Sequence, residues 1–202
     1  MTLFRNRKHA GRKLAEFTRD LEFDLIAAIP RGGIAVAAEI AKIRKKRLLI
    51  VGVRKIPIPW NPEAGFGAIA EDGSTFINRS IFEHLNLLDE EVEELANDVR
   101  KEVERRVRIY RKGAIPDLNG KVILLVDDGF ATGYTAIAAI ELLKKKGAIV
   151  YAAAPCAPSD TVKLLKEYAD KVIVIHVQGY GPFAVASYYD DFRDLITMIS
   201  GI

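Results

Sequence analysis

Five consecutive apolar residues, Val122-Ile-Leu-Leu-Val126, run into a turn rich in acids, glycines and threonines and then into a helix-forming stretch over residues 136–145. An apolar run this short suits a strand covered on both faces, as in a parallel sheet, and parallel strands need helical crossovers. The turn, Asp127-Asp-Gly-Phe-Ala-Thr-Gly-Tyr-Thr135, therefore sits at the carboxyl end of a strand. In open α/β sheets that is the ligand-binding edge, and the following helix presents unpaired N–H groups and a positive dipole end. Carboxylates repel a phosphate but accept hydrogen bonds from hydroxyls. Paired acids beside an anion cradle thus point to a ligand that carries both hydroxyl and phosphate groups.

The rest of the chain repeats the alternation. Residues 23–29, 48–53, 149–154 and 172–177 read as strands, and residues 34–43 and 159–168 as helices. Residues 7–19 predict an amphipathic helix with Leu14, Phe17 and Leu21 among basic residues. Leu88, Val92, Leu95, Val99, Val103, Val107 and Tyr110 recur every three or four positions and mark one helix of about twenty residues. Its arginines are interleaved with glutamates, which favours an ion-paired, solvated face over a nucleic-acid surface. Residues 54–73 are rich in proline and glycine and predict a long loop, with a hairpin between residues 68–70 and 75–77. A short helix is expected from about Asp191 to the end. The alternation predicts an α/β fold with a mostly parallel, doubly wound sheet, in one domain over residues 1–202.

Composition sets bounds on function. A chain of 202 residues, half of them hydrophobic and 28% charged, can bury one sizeable core and is not a disordered segment. The single cysteine, Cys156, can form no internal disulfide, and three scattered histidines give no zinc-type cluster. The first ten residues lack the apolar core of a signal peptide, and no apolar run approaches transmembrane length. A cytoplasmic protein without a membrane partner is the expectation. A net charge of +3 suits a phosphate-rich substrate without singling out nucleic acid.

The apolar strand, Asp127-Asp128 and the run Gly129, Phe130, Ala131, Thr132, Gly133, Tyr134 and Thr135 resemble the phosphoribosyl diphosphate (PRPP) signature of the type I phosphoribosyltransferases. The resemblance implies that Asp127 and Asp128 hold the ribose 2- and 3-hydroxyls, and that the loop from Gly129 to Thr135 cradles the 5-phosphate with backbone amides and threonine hydroxyls. It implies Mg²⁺ as cofactor, ligated mostly by PRPP oxygens and water, with Asp128 or its neighbour acting through water. A second strand-turn-helix junction, Pro30-Arg31-Gly32-Gly33, stands where the family binds diphosphate, so Arg31, Gly32 and Gly33 would contact the leaving group. Arg54-Lys55 is similar to an Arg-Lys pair of orotate phosphoribosyltransferases. The pair either neutralises diphosphate or begins a solvated loop. Arg31 and Lys55 are the catalytic candidates, and the segment after Lys55 resembles the family's small hood with its long flexible loop.

Ala131 departs from part of the family. Hypoxanthine-guanine phosphoribosyltransferases carry an aspartate there that acts at purine N7, and alanine performs no proton chemistry. Uracil phosphoribosyltransferases also carry alanine at this point. Tyr180 and Phe183 either stack on a planar acceptor or pack the C-terminal segment onto the core. Asp190 and Asp191 either approach diphosphate-bound metal or cap a helix. The resemblance implies transfer of phosphoribosyl from PRPP to a nitrogenous acceptor, a nucleobase by default, with release of diphosphate. The alternative is a non-catalytic PRPP-sensing regulator on the same fold. A homodimer is the expected assembly, as in similar enzymes.

Overall fold

The computed structural model describes residues 2–193. Its first elements are α1 (Arg7–Phe17), β1 (Leu25–Ala28), α2 (Gly32–Arg44) and β2 (Leu48–Ile50). The middle of the chain forms β3 (Val53–Ile58), β4 (Asn61–Ala70), β5 (Thr75–Ile77), α3 (Arg79–Leu85) and α4 (Asp89–Tyr110). The last part forms β6 (Val122–Val126), α5 (Tyr134–Lys145), β7 (Ile149–Pro158), α6 (Ser159–Leu165) and β8 (Lys171–Gln178). Strands β2, β1, β6, β7 and β8 lie side by side in that order, each pair parallel, as the alternation of strands and helices predicts. No helix among the described residues is long and apolar enough to cross a membrane.

The period of two explains how continuous apolar strands serve two cores. On β6, Ile123 and Leu125 join the cluster under α5, while Leu124 and Val126 face α1 and α2. On β1, Leu25 and Ala27 follow the first pair and Ile26 and Ala28 the second. The apolar face of α1 differs from the expected one. Leu14 is fully buried, but Phe17 is 57% exposed, and the other buried positions are Arg7 and the small residues Ala10, Gly11 and Ala15. Small side chains let α1 press closely on α2, which leaves no room for an aromatic ring on that face.

The long loop predicted over residues 54–73 is instead a pair of strands. Val53↔Ala70, Arg54↔Ile69, Lys55↔Ala68 and Ile56↔Gly67 are antiparallel partners, and the register shifts at Pro57. The prolines sit where the ladder is irregular or turning, so they punctuate the hairpin without preventing it. The predicted hairpin between residues 68–70 and 75–77 is present as the β4–β5 pair. Alternation sets Ile56 and Ile69 against Val99 and Val103 of α4 and Ala68 and Ala70 in a core with α5, while Phe66, skipped by the register shift between the Ile56↔Gly67 and Pro57↔Gly65 pairs, joins the α4 side. This hood, β3 to β5 with α3 and α4, is thereby seated on the helix that follows the acidic turn. The closing helix expected from about Asp191 lies outside the described residues; residues 191–193 are not helical.

Leu124 is fully buried at the centre of the parallel sheet, whereas Trp60, on the hairpin tip, is 66% exposed. Leu124→Ala is expected to cost about 2–5 kcal/mol in urea unfolding. Trp60→Ala should change stability by about 0.5 kcal/mol or less.

Candidate functional site

The sheet order reverses between β1 and β6, because β1 leads outward to β2 and β6 leads the other way to β7. Such a switch point leaves a crevice beyond the strand ends. Register makes the two ends level: Ala28 pairs with Val126. The turns that follow, Pro30-Arg31-Gly32-Gly33 and Asp127-Asp128-Gly129, therefore open side by side. Their contact is close enough to demand glycine. A Cβ on Gly32 would lie 1.8 Å from Asp128 Oδ2, and one on Gly33 would lie 2.7 Å from the Val126 carbonyl oxygen and 2.9 Å from Asp127 Cα. Arg31 stands exposed at the start of α2, after a cis Pro30–Arg31 peptide.

The two acids differ in their surroundings. Asp127 turns back on its own loop, where Oδ1 accepts the Asp128 backbone N–H at 2.8 Å. Withdrawal from water, and then the neighbouring Asp128 charge, hold the Asp127 carboxyl well above the usual carboxylate range. Asp128 is paired with Arg7, whose Nε lies 2.6 Å from Oδ2. Tyr189 donates its hydroxyl to the Asp128 backbone oxygen at 2.6 Å. Behind the turn, burial and then the two aspartates push the Cys156 thiol up to about 12, so it is neutral and no nucleophile at physiological pH.

Beyond the acids the loop has the form of an anion cradle. Gly133 takes φ +80° at the N-cap of α5 and supplies no side-chain cap to the first turn. The helix end thus keeps its donors for an external acceptor. Thr132 is exposed and Thr135 half-buried, both beside those donors. Ala131 is exposed, and its carbonyl accepts from Thr161 Oγ1 at 2.5 Å. Phe130 and Tyr134 turn their side chains away, into the core. The Phe130 N–H donates to the Cys156 carbonyl at 3.0 Å. The Tyr134 ring packs 5.2 Å from Phe76, and its hydroxyl accepts from Asn78 Nδ2 at 2.7 Å. These two aromatics anchor the loop, Phe130 to the sheet and Tyr134 to the hood.

Neighbouring strand positions point to opposite faces, and this separates Arg54 from Lys55. Lys55, with Ile58 and Ile81, lines a cavity of about 350 Å³ whose opposite wall is the loop from Gly129 to Thr135. Arg54 turns to α4, where Nη1 lies 3.2 Å from Glu102 Oε1. Glu102 also accepts from Arg105 and Arg106 at 2.7 and 3.0 Å, and these hydrogen bonds hold its carboxyl down at about 2. Tyr180 is 98% exposed, and Phe183 packs 5.2 Å from Tyr188. Asp190 accepts from Thr2 Oγ1, and Asp191 pairs with Arg193 at 2.6 Å. Among the described residues there is no group of three or more His, Cys, Asp or Glu side chains that could hold a metal alone. A single carboxylate beside an anion cradle does fit a Mg²⁺ ion carried largely by substrate phosphates and water.

Arg7, Tyr189 and Asn78 belong to this site, yet sequence reasoning did not find them. Arg7 is 121 residues from Asp128 in the chain and reads there as one more basic residue of an amphipathic helix. No local signal marks any of the three.

Residues 3–187 match the family model described as a phosphoribosyl transferase domain. Proteins of two Mycobacterium tuberculosis strains, each provisionally named a phosphoribosyl transferase, are 36% identical over 197 residues. That match takes in 95% of this chain but only 44% of those relatives, so the chain spans less than half their length. The crystal structure of TT1426 from Thermus thermophilus superposes with a TM-score of 0.73 at 33% identity, covering 96% of this chain and 93% of that one. An adenine phosphoribosyltransferase from Thermoanaerobacter pseudethanolicus shares the fold, with a TM-score of 0.50 at 19% identity over 85% of this chain and 80% of its own.

The raised Asp127 carboxyl carries a pH signature. A group whose folded pKa lies above its unfolded value favours folding below the unfolded value, and that contribution is lost as pH rises through the folded one. Asp127→Asn keeps the acceptor for the Asp128 N–H and removes the buried charge. The variant is expected to melt higher than the parent at about pH 7, with the gap closing towards about pH 4, where the parent carboxyl is protonated. Melting curves across that range check it.

Proposed function

The chain belongs to the phosphoribosyl transferase family, and on that premise we propose that it transfers a phosphoribosyl group from PRPP to a nitrogenous acceptor, with a nucleobase as the default. The observation that carries this reading is the level ending of β1 and β6, which sets the Gly32-Gly33 turn against the acidic turn and its uncapped helix. A donor with ribose hydroxyls between two phosphate groups matches that arrangement. Its hydroxyls meet Asp127 and Asp128. Its 5-phosphate takes the amides from Ala131 to Thr135 and the hydroxyls of Thr132 and Thr135. Its diphosphate lies at Arg31, Gly32 and Gly33.

In the reaction the anomeric carbon loses its bond to diphosphate, which leaves with the electron pair, while an acceptor nitrogen donates a pair to the same carbon. The nitrogen then gives up its proton to solvent or to a group on the acceptor. Charge builds on the leaving diphosphate, so fixed cations lower the barrier by binding it more tightly as it departs. In this reading Arg31, at the start of α2, and Lys55, on the hood, supply those cations. Arg54 is paired with Glu102 but also feels the charge of Arg31, so in this reading it adds to the positive potential on the diphosphate side. Mg²⁺, when bound with the donor and touched by Asp128 through water, would add neutralising charge to the diphosphate. Ala131 can move no proton, so the acceptor must arrive with a nitrogen that is already nucleophilic or find its base elsewhere. The free, buried Cys156 suits a reducing cytoplasm.

Diphosphate release from Mg²⁺-PRPP across a panel of nucleobases tests the proposal. One or more bases should support release. Lys55→Ala should lower kcat on the order of a hundredfold, and Asp128→Asn should weaken PRPP binding. Tight PRPP binding with no release on any acceptor would favour the sensing role, which Ala131 permits. Absence of PRPP binding would defeat both.

A further inference from the structure

Arg7 makes a short, largely buried ion pair in the crevice, and the transfer chemistry above gives it no part. Its Nε lies 2.6 Å from Asp128 Oδ2, with the two side chains only 10% and 13% exposed. The guanidinium lies over the Phe192 ring at 3.7 Å, and Nη1 donates to the Arg193 carbonyl at 3.1 Å. Phe192 in turn packs 5.1 Å from Tyr189, whose hydroxyl holds the Asp128 backbone oxygen. The segments that carry these groups are tied to each other. The Phe4 N–H donates to Tyr188, the Asp190 N–H to Phe4 and the Asp191 N–H to Arg5, each at 2.9 Å. Residues 2–7 and 188–193 thus form a strap that grips the acidic turn from behind.

We propose that Arg7 is a positioning residue for the donor's ribose, fixing the Asp128 carboxylate so that its remaining lone pairs face the sugar hydroxyls. The inference rests on reading the acidic turn as a PRPP site. A carboxylate has about four acceptor positions. One bond to Arg7 at Oδ2 leaves Oδ1 whole and fixes its direction. The final torsion of an aspartate is otherwise soft, and Gly32 lies close against the same carboxylate. The guanidinium also offsets the repulsion between adjacent carboxylates in a part-buried turn. It does three things at once: it donates to Asp128, donates to the strap and stacks on Phe192. An ammonium group has no plane to stack and cannot reproduce that fork.

Calorimetric titration with Mg²⁺-PRPP and with Mg²⁺-diphosphate, which has no ribose, separates positioning from mere packing. Arg7→Gln is expected to weaken PRPP binding on the order of tenfold, the loss of one charge-assisted contact. Its affinity for diphosphate should stay unchanged. Arg7→Lys should recover part of the loss, and Phe192→Ala should show a smaller loss in the same direction. Undiminished PRPP affinity in Arg7→Gln overturns the inference. Equal losses for PRPP and diphosphate, with a lowered melting temperature, also overturn it and leave Arg7 a structural residue. Failure of the unaltered protein to bind PRPP is a separate result that removes the donor-site reading itself.

Discussion

The pairing of β1 with β6 at the point where the sheet order reverses is the constraint on which the site depends. Parallel hydrogen bonding sets Ala28 opposite Val126, so both strands end level and their turns meet. A slip of one residue would send every β6 side chain to the wrong core and also part the two turns. The same register therefore serves the core and the crevice. The glycines follow from that proximity: the Gly32-Gly33 backbone occupies space that any side chain would take from Asp128 and Val126.

The acidic turn is costly to keep. Two adjacent carboxyls are drawn out of water, and Asp127 responds with a raised pKa while Asp128 is matched by Arg7. Sites that gather like charges give up stability for binding, and removal of the charge usually stabilises them. The aromatic residues around the turn work against that cost. Phe130 and Tyr134 sit within the motif but spend their side chains on the core and the hood, leaving the backbone between them to face the crevice. Through Asn78 and Phe76, the loop and the hood share one anchor, so Lys55 on the hood and the amides of α5 are held in a common frame.

Much of this was legible in the chain. The apolar runs and their helical crossovers announce a parallel sheet, and the two glycine-bearing turns mark strand ends in both sequence and structure. The hood is less legible. Proline and glycine between residues 54 and 73 suggested a loop, because local composition shows breakers but not the strand that pairs with them. The ladder forms since Ile56, Phe66 and Ile69 find Val99 and Val103 on a helix some thirty residues later. The buried face of α1 is hidden from the sequence for a related reason: which side is buried depends on how closely α2 approaches, and Phe17 loses that contest to alanine and glycine.

The sequence by itself determined the class of fold and the acidic turn with its phosphate-type helix start, since both follow from short-range pattern: apolar period, turn chemistry and helix dipole. Only the tertiary structure decided how the charges are shared. It turned Arg54 to Glu102 and Lys55 to the crevice, and it brought Arg7 from the first helix to Asp128. Those choices depend on strand alternation read against a particular neighbour and on contact between residues more than a hundred positions apart, which no local pattern records.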